Sequence, residues 1–427
     1  MYLSKVKIEN IRSISSFEMV FEPQEYAGWH VLIGDNGAGK STIIRALALA
    51  MVGPDEAKAL RQNWNEWLKK DCLKGKIEIE TWRDKFDRLG VQSPPVKDGL
   101  TTAEIHFTKT TSNNGHSPVE MKGNPRDNNK RSPFKYLWSG AQGWFSVAYG
   151  PFRRFTGGNT EREKLFYSNP KLAAHLSAFG EDIALTECVD WLVQLNYKRL
   201  ENLPEGNMLE AISKFINNGK LLPHGAELKK VSSEGVFFRD GNDNEIPVTE
   251  LSDGYRSILS LLFELIRQLV FCYGQNDVFK QINKSNLVID LPGVVLIDEI
   301  DAHLHPTWQV RIGQWFTKYF PKIQFIVTTH SPLICHAAEK GTVWRLAAPG
   351  SHNHTGKITG IDLKRLVYGN VLEAYGTNAF GVGVTRSETS RELKEQLARL
   401  NTKSIMGKIS EEEEKELEQL KSTLPTS

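Results

Sequence analysis

The stretch GDNGAGKS, residues 34–41, decides the fold of this chain. It satisfies the pattern G-x-x-x-x-G-K-[ST], follows a short apolar run, Trp29–Ile33, and precedes a segment rich in helix formers, Ser41–Val52. A strand, a glycine-rich loop and a helix in this order predict a phosphate-binding loop. A plain glycine turn beside a surface lysine would not account for the serine, the spacing and the flanking elements together.

The loop contains the residue types that an anionic ligand requires. Glycines let backbone N–H groups close around phosphate oxygens, and the helix N-terminus adds the positive end of a dipole. Lys40 supplies a cation, and the hydroxyl of Ser41 can ligate Mg²⁺. A magnesium nucleotide is therefore the predicted ligand. The predicted binding residues of the loop are Asn36, Gly37, Ala38, Gly39, Lys40, Ser41 and Thr42.

Two carboxylates end the run VVLIDE, residues 294–299, whose apolar part is typical of a strand buried on both faces. Ligands of open α/β sheets gather at the carboxyl ends of the strands. Asp298 would hold Mg²⁺, directly or through water, and Glu299 would polarise the attacking water. An isolated Asp-Glu pair is more often a solvated strand end, so this interpretation depends on the phosphate loop.

Two further segments could face an anion. LSDGYRS, residues 251–257, precedes a helical pattern and offers Ser252 as N-cap with Gly254 close behind. His330 follows a second buried run, Ile323–Thr328, from which its imidazole could reach a γ-phosphate. Taken alone, the first would be only a helix cap and the second a structural histidine.

Composition argues against a strongly basic nucleic-acid-binding protein, a disulfide-rich protein and a membrane protein. The 53 basic and 51 acidic side chains leave a net charge of +2, so any DNA contact must come from a local patch. Four cysteines lie far apart without a CxxC pair, which favours a reducing cytoplasm over a disulfide framework. The longest apolar-rich stretch, Ile258–Tyr273, is interrupted by charged residues, and the N-terminus has no continuous apolar block. We therefore predict a cytoplasmic location and no membrane partner.

These four elements, in this order, resemble the ABC ATPase family: phosphate loop, LSDGYRS as the signature, VVLIDE as the acidic strand and His330 as the switch histidine. The resemblance implies an ATPase that binds ATP and Mg²⁺, with Lys40, Glu299 and His330 as catalytic residues. In that family the signature of one subunit caps the ATP held by the other. A head-to-tail homodimer or higher homo-oligomer is therefore implied, with Ser252 and Gly254 acting in trans.

Other residues narrow the resemblance within the family. Asp253 and Tyr255 depart from common transporter signatures, whereas IDAHLHP, residues 300–306, resembles the RecF-like and SMC-like branch and implies Asp301 as the inter-subunit loop residue. The run from YGPFRRF at Tyr149 to FIVTTHSP resembles compact ATPases of the RecF-like class, including the ATPase subunits of Septu and retron-associated phage-defence systems. Tyr149, Arg153 and Arg154 are candidates to line the site, and Gln142 stays unassigned as a glutamine-loop residue.

The resemblance implies an α/β fold of the ABC-type P-loop ATPase head. We expect an N-terminal antiparallel β region, a mainly parallel core sheet, a helical subdomain and a small C-terminal helical appendage. Sustained heptads are missing between the phosphate loop and the signature, so no long coiled coil is expected. The predicted division is 1–54, the N-terminal lobe with the phosphate loop; 55–250, inserted strands and helical subdomain; 251–372, the lobe with the signature, acidic strand and switch histidine; and 373–427, the appendage.

Periodicity adds local expectations. They are a hairpin from Leu3–Ile11 and Ser16–Phe21, strands at Lys76–Trp82 and Thr101–Thr108, a polar loop at Thr110–Arg131, helices within Asn159–Asn218, a hairpin at Gly235–Val248 turning at DGND, a long helix from Gly254, and charged helices at Ser387–Leu400 and Ser410–Leu420.

The leading functional hypothesis is an ATP-gated dimer that controls a separate effector, a nuclease for which the HNH type is one option, in DNA metabolism or anti-phage defence. The alternatives are a nucleotide-gated scaffold with slow hydrolysis and the ATPase subunit of a transporter.

His352, Asn353 and His354 spell HNH, yet we interpret them as a polar loop. His303 and His305 are interpreted as structural rather than metal ligands. Basic pairs at 130–131 and 229–230 are the candidate DNA contacts.

Overall fold

The computed structural model describes residues 1–60, 62–88, 99–110, 118–124, 132–138, 143–153, 169–180, 187–282, 286–348, 350, 355–375, 377 and 388–423. The strands are β1 Tyr2–Ile11, β2 Ile14–Val20, β3 Gly28–Gly34, β4 Lys74–Trp82, β5 Leu100–Lys109, β6 Val119–Gly123, β7 Ser146–Tyr149, β8 Glu227–Ser232, β9 Gly235–Arg239, β10 Glu245–Pro247, β11 Gly293–Ile297, β12 Ile323–Thr329, β13 Gly341–Leu346 and β14 Gly356–Lys357.

The longer helices are α1 Lys40–Val52, α2 Glu187–Leu200, α3 Asn207–Asn218, α4 Asp253–Tyr273, α5 Pro306–Tyr319, α6 Gly360–Tyr368, α7 Glu388–Ile405 and α8 Glu411–Thr423. Single helical turns occur at Pro54–Ala57, Pro133–Tyr136, Pro170–Ala173, Gln275–Val278 and Val371–Tyr375, and a 3₁₀ segment occupies Pro332–Lys340. Within the described part of the chain, no helix is both long and apolar enough to cross a membrane.

The N-terminal sheet is antiparallel, with strand order β2-β1-β4-β5-β6. The opening hairpin and the two following strands are confirmed. The predicted loop at 110–131 was wrong in part, because β6 lies within it and pairs Met121 with Phe107. The alternation of apolar and polar residues in this edge strand covers only Val119 to Lys122, which is too short to be recognised inside a polar stretch. Residues 111–117 and 125–131, which include Lys130 and Arg131, lie outside the described residues.

The central sheet has the order β14-β13-β3-β12-β11-β7 and is parallel except for β14. Every residue of β11 and β12 is buried, as the continuous apolar runs predicted. Helix α5 connects these two strands, so the predicted crossover is confirmed. Because β12 lies between β3 and β11, the loops after these three strands leave the sheet side by side at one edge.

Helix α1 lies between the two sheets. Its residues are buried almost all round, and its apolar side chains share one core with both the antiparallel sheet and alternate residues of the central strands. The opposite face of the central sheet packs on helices α2 to α5 and on the β8–β9–β10 sheet, in a second core. The phosphate loop thus starts from a helix that is fixed on two sides.

The remaining local expectations are confirmed where the structure describes them. The hairpin β9–β10 turns at residues 240–243, where the Asp240 carboxylate accepts the Asn242 and Asn244 N–H groups at 2.8 Å. Helix α8 begins after Ser410, whose hydroxyl accepts the Glu413 N–H at 3.2 Å. The longest described helix, α4, has 21 residues, so no long coiled coil exists among the described residues.

The four-part division of the chain remains a proposal. The antiparallel sheet takes β1 and β2 from residues 1–54 and β4 to β6 from the next segment, and the central sheet takes β7 from that segment as well. Residues 154–168, 181–186 and 283–285 lie outside the described residues.

Candidate nucleotide-binding site

The phosphate loop joins β3 to α1 through two glycines in left-handed conformations, Gly37 at φ 78° and Gly39 at φ 100°. A Cβ on Gly39 would also lie 3.0 Å from Cγ1 of Ile14, so glycine is required there on both grounds. Lys40 is 6% exposed, and its Nζ donates to the carbonyls of Gly34 at 2.7 Å and Asp35 at 3.1 Å. The loop is therefore folded around the lysine's amino group.

The acidic pair follows β11 directly. Asp298 is 3% exposed, and its Oδ1 accepts a hydrogen bond from Thr328 Oγ1 at 2.5 Å. The same Thr328 oxygen accepts the Glu299 N–H at 2.7 Å. Glu299 has φ 48°, a left-handed conformation that costs a non-glycine residue free energy and occurs often at functional sites. One buried hydroxyl from the neighbouring strand β12 thus fixes both acidic residues.

The acidic pair and the phosphate loop lie within electrostatic range of each other. Burial lowers the pKa of Lys40, and the carboxylates of Asp298, Glu299 and Asp301 act against that shift. This arrangement follows from strand order, since β11 and β3 are separated only by β12. The structure therefore brings together the lysine and the carboxylates that the sequence assigned to one site.

His330 and Asp301, the predicted switch histidine and inter-subunit loop residue, lie beside this cluster. The His330 N–H donates to Asp301 Oδ2 at 3.3 Å, while the His330 side chain is exposed. Asp301 Oδ1 is buried and has no hydrogen-bond partner among the described residues. A buried acceptor without a donor is costly, and such groups often mark a place where a ligand or water binds.

The signature segment, residues 251–257, differs from the phosphate loop in its exposure. Ser252 is the N-cap of α4, as predicted, but its hydroxyl makes no hydrogen bond to the helix. Ser252 and Asp253 are exposed. Gly254 packs tightly, because a Cβ there would lie 2.8 Å from the carbonyl oxygen of His303. The signature is thus held against the loop of residues 301–303 while its serine faces outward.

Arg153 connects these parts of the site. It is 6% exposed, and its guanidinium donates to the carbonyls of Gly150 at 2.9 Å, Asp298 at 2.8 Å and Glu299 at 2.9 Å. Its Nε donates to Ser257 Oγ, in the signature helix α4, at 3.1 Å. Burial lowers the pKa of Arg153 to about 10, so it remains charged at neutral pH.

Arg153 does not point to a ligand, as the sequence suggested it could, but supports the main chain under the acidic pair. Tyr149 is buried, and its hydroxyl has no partner among the described residues. Gln142 and Arg154 lie outside the described residues, as does the segment 351–354. Sequence reasoning did not single out Thr328, although a polar residue inside a wholly buried strand was the available signal.

The donor set suits a magnesium nucleotide. Ser41 and Asp298 offer the hard oxygen atoms that Mg²⁺ takes, usually through one or two protein ligands and the phosphates of the substrate. His305 has another role: its Nδ1 lies 2.9 Å from Thr307 Oγ1 and accepts the Thr307 N–H, which caps α5. The proposed magnesium ligands are a serine, one aspartate and the phosphates of the nucleotide. A site made of three or more His, Cys, Asp or Glu side chains is not found among the described residues.

The chain matches two protein-family models. Residues 1–116 match a family model described as "AAA ATPase domain". Residues 79–336 match one described as "AAA domain, putative AbiEii toxin, Type IV TA system". This second match covers more than half of the chain, which therefore belongs to that family of AAA domains.

Two relatives and one solved structure are similar to this chain. The Septu protein PtuA of Bacillus mycoides (strain KBAB4) is 28% identical over 347 residues, which cover 80% of this chain and 40% of the relative. The Retron Ec83 probable ATPase of Escherichia coli is 24% identical over 400 residues, covering 81% of this chain and 71% of the relative. A crystal structure of an SMC head bound to the C-winged helix domain of ScpA superposes with TM-score 0.48 and 15% identity, covering 84% of this chain and 98% of that one.

Proposed function

We propose that this chain is an ATPase whose ATP-bound form pairs two copies head to tail, and that pairing controls a separate effector in phage defence. The observation that carries the proposal is the convergence of Lys40 with the Asp298–Glu299 pair at one sheet edge. The resemblance to Septu and retron ATPases supports the defence role. The alignment covers only 40% of the Septu protein, so the effector is not inferred from that relative. A separate effector is proposed because the sequence carries the ATPase motifs but no nuclease motif that we recognise.

Each residue has a role that its geometry permits. Lys40 would bind the phosphate oxygens from inside the loop, with the N–H groups of residues 36–42 around it. Mg²⁺, held by Ser41 and Asp298, would supply positive charge against the transferring phosphoryl group. Glu299 would orient a water molecule and accept its proton, and His330 would contact the γ-phosphate. These are the positioning and electrostatic contributions on which phosphoryl transfer depends.

Arg153 acts in this proposal as a positioning residue. It binds the carbonyls of both acidic residues and the hydroxyl of Ser257, so one guanidinium would hold the proposed catalytic carboxylate in a fixed position relative to the signature helix. Ser252 and Gly254 would complete the site of a second copy, because an exposed helix N-terminus presents N–H groups and dipole to an anion. The effector would be a separate nuclease. An HNH enzyme is one option, and direct contact of this chain with DNA is a further proposal.

Replacing Glu299 by Gln tests the proposal. The amide keeps the shape of the side chain but cannot accept the proton, so ATP hydrolysis should fall by about 10²-fold or more. ATP binding should persist, and the protein should accumulate as a dimer with bound ATP. Phosphate release and light scattering with and without ATP measure the two effects.

The matched control is Glu339→Gln, an exposed glutamate in the 3₁₀ segment. It should keep both wild-type hydrolysis and the wild-type monomer–dimer distribution. Unchanged turnover in the Glu299 variant would remove its catalytic assignment. Loss of hydrolysis without any ATP-dependent dimer would leave the ATPase assignment intact and refute the pairing.

A further inference from the structure

A depression of about 450 Å³ lies between helix α5 and the turn that follows α3, and none of the residues assigned to the proposed ATPase site lines it. One wall is the turn at residues 218–221, and the other is the face of α5 from Trp308 to Tyr319. Its volume falls in the range of small-ligand sites. The nature of its lining indicates what it could bind.

Three cations surround the depression: Lys220, Arg311 and Lys318. All three are exposed, and none pairs with a carboxylate of the described part of the chain. No acidic residue is among those that line it. In a chain whose net charge is only +2, this is a local concentration of positive charge, and it predicts an anionic ligand.

The cations lie along α5 and on both walls of the depression. Arg311 and Lys318 are seven residues apart on α5, which places them on the same side of the helix and about 10.5 Å apart along its axis. Cations spaced in this way can each contact a different phosphate of a strand. The third cation, Lys220, stands on the opposite wall.

The floor of the depression carries a fixed aromatic ring. Trp315 is partly exposed, and its Nε1 donates to the carbonyl of Gly219 at 2.8 Å. Its ring packs against Phe215 with centroids 5.6 Å apart and against Tyr319 with centroids 4.8 Å apart. An indole held in this way is a platform on which a base can stack without first being ordered.

We propose that this depression binds single-stranded nucleic acid, with a base on Trp315 and backbone phosphates at Arg311, Lys318 and Lys220. An aromatic platform beside cations is the arrangement that binds single strands, whereas the bases of a duplex are already stacked inside it. The basic pair at 229–230 is a weaker candidate, since Lys230 lies 3.9 Å from Glu245. The proposal does not depend on ATP hydrolysis.

The test measures fluorescence anisotropy of a labelled DNA strand of about 20 nucleotides, a length that exceeds the footprint of a small single-strand site. The double variant Arg311→Ala/Lys318→Ala is compared with Lys408→Ala/Lys421→Ala, which removes the same charge from exposed positions at the C-terminal helices. Both are measured without ATP, and also in a Lys40→Ala background, so that failure of the ATPase proposal does not affect the result.

The wild-type protein and the control variant should bind the strand equally. The pocket variant should bind at least tenfold more weakly. Its salt dependence should fall by about 1.4 logarithmic units per tenfold change in salt, since each single-strand phosphate contact contributes roughly 0.7. A strand containing 5-bromodeoxyuridine should cross-link to the peptide that carries Trp315.

Several results would overturn the proposal. They are a wild-type protein that does not bind the strand, equal losses in the two double variants, cross-links only outside the depression, or tighter binding of a duplex of the same sequence. Competition by AMP alone at the concentration of strand phosphates would also do so, because it would indicate a site for a free nucleotide.

Discussion

The phosphate loop and the signature segment both contain the N-terminus of a helix, but they differ in burial. In the phosphate loop, Lys40 is buried with two carbonyl partners and α1 is packed between two sheets. In the signature segment, Ser252 and Asp253 are exposed, and the serine hydroxyl makes no bond to its own helix. The phosphate loop is thus enclosed within the chain, whereas the serine of the signature segment faces outward. In the proposed dimer they are the two halves of one site, contributed by different copies.

The largest loss of ATP hydrolysis should come from a change in the phosphate loop, the enclosed half of the site. Replacing Lys40 by Ala removes the only loop cation and leaves the Gly34 and Asp35 carbonyls without their donor. We expect hydrolysis to fall by ~10³-fold, the upper range for loss of one electrostatic contact to the reacting group. Nucleotide binding should weaken as well, which a fluorescent ATP analogue measures.

Lys40→Arg is the matched control for the lysine, because it keeps the charge while changing its position. It should bind nucleotide more tightly than the alanine variant but remain impaired in hydrolysis. Alanine and arginine variants with equal, near-normal affinity for ATP would show that the loop cation does not contact phosphate, and the comparison between the two halves would lose its basis.

A change in the signature segment should give a smaller loss of ATP hydrolysis, and a second variant should complement it in mixed dimers. Ser252→Arg places a bulky cation where the partner's nucleotide would bind, so hydrolysis should fall by about 10²-fold while ATP binding persists. Mixed with the Lys40→Ala protein in equal amounts, it should recover about one quarter of wild-type turnover, because half of the dimers contain one intact site. Phosphate-release assays on the mixtures measure this.

The control for the exposed half is Ser233→Arg, an exposed serine in the turn between β8 and β9. It should hydrolyse ATP normally. If mixing the Lys40 and Ser252 variants restores nothing above the activity of either alone, the two segments serve the same subunit and the head-to-tail dimer is wrong.

Replacing Arg153, which connects the acidic pair to the signature helix, should give the smallest loss of ATP hydrolysis. Arg153→Lys keeps the buried charge but loses the forked contacts to the Asp298 and Glu299 carbonyls. Because the carboxylates would be displaced slightly, kcat should fall roughly tenfold with little change in KM. Steady-state kinetics beside a thermal melt separate this outcome from general destabilisation.

Arg239→Lys, in the exposed pair with Glu227, serves as the control for Arg153 and should leave both constants unchanged. A raised KM with normal kcat in the Arg153 variant would contradict the positioning role and indicate direct contact with the nucleotide.

Much of the fold could be read from local patterns. The continuous apolar runs of β11 and β12 predicted buried parallel strands, and the DGND turn predicted the hairpin β9–β10. Strand β6 was missed, because its alternation covers only four residues, Val119 to Lys122, inside a polar stretch, and only Met121 among them is fully buried. Local periodicity reports burial, so an edge strand with little burial gives little signal.

The candidate site divides in the same way. The loop glycines with Lys40 form one short motif and the acidic pair ends another, so the sequence could propose both motifs as parts of one site. Thr328 and Arg153 could not be assigned in this way. Their roles depend on a hydroxyl one strand away and on carbonyls about 145 residues further along the chain.

By itself, the sequence determined the glycine-rich loop between β3 and α1, the buried strand that ends in the acidic pair and the hairpin β9–β10, because each depends on residues close together in the chain. Only the tertiary structure decided that β12 separates β3 from β11, that Arg153 joins the acidic pair to the signature helix, and that Lys220 faces Lys318 across one depression. These contacts join distant segments, and packing of the two cores, rather than local propensity, determines which segments meet.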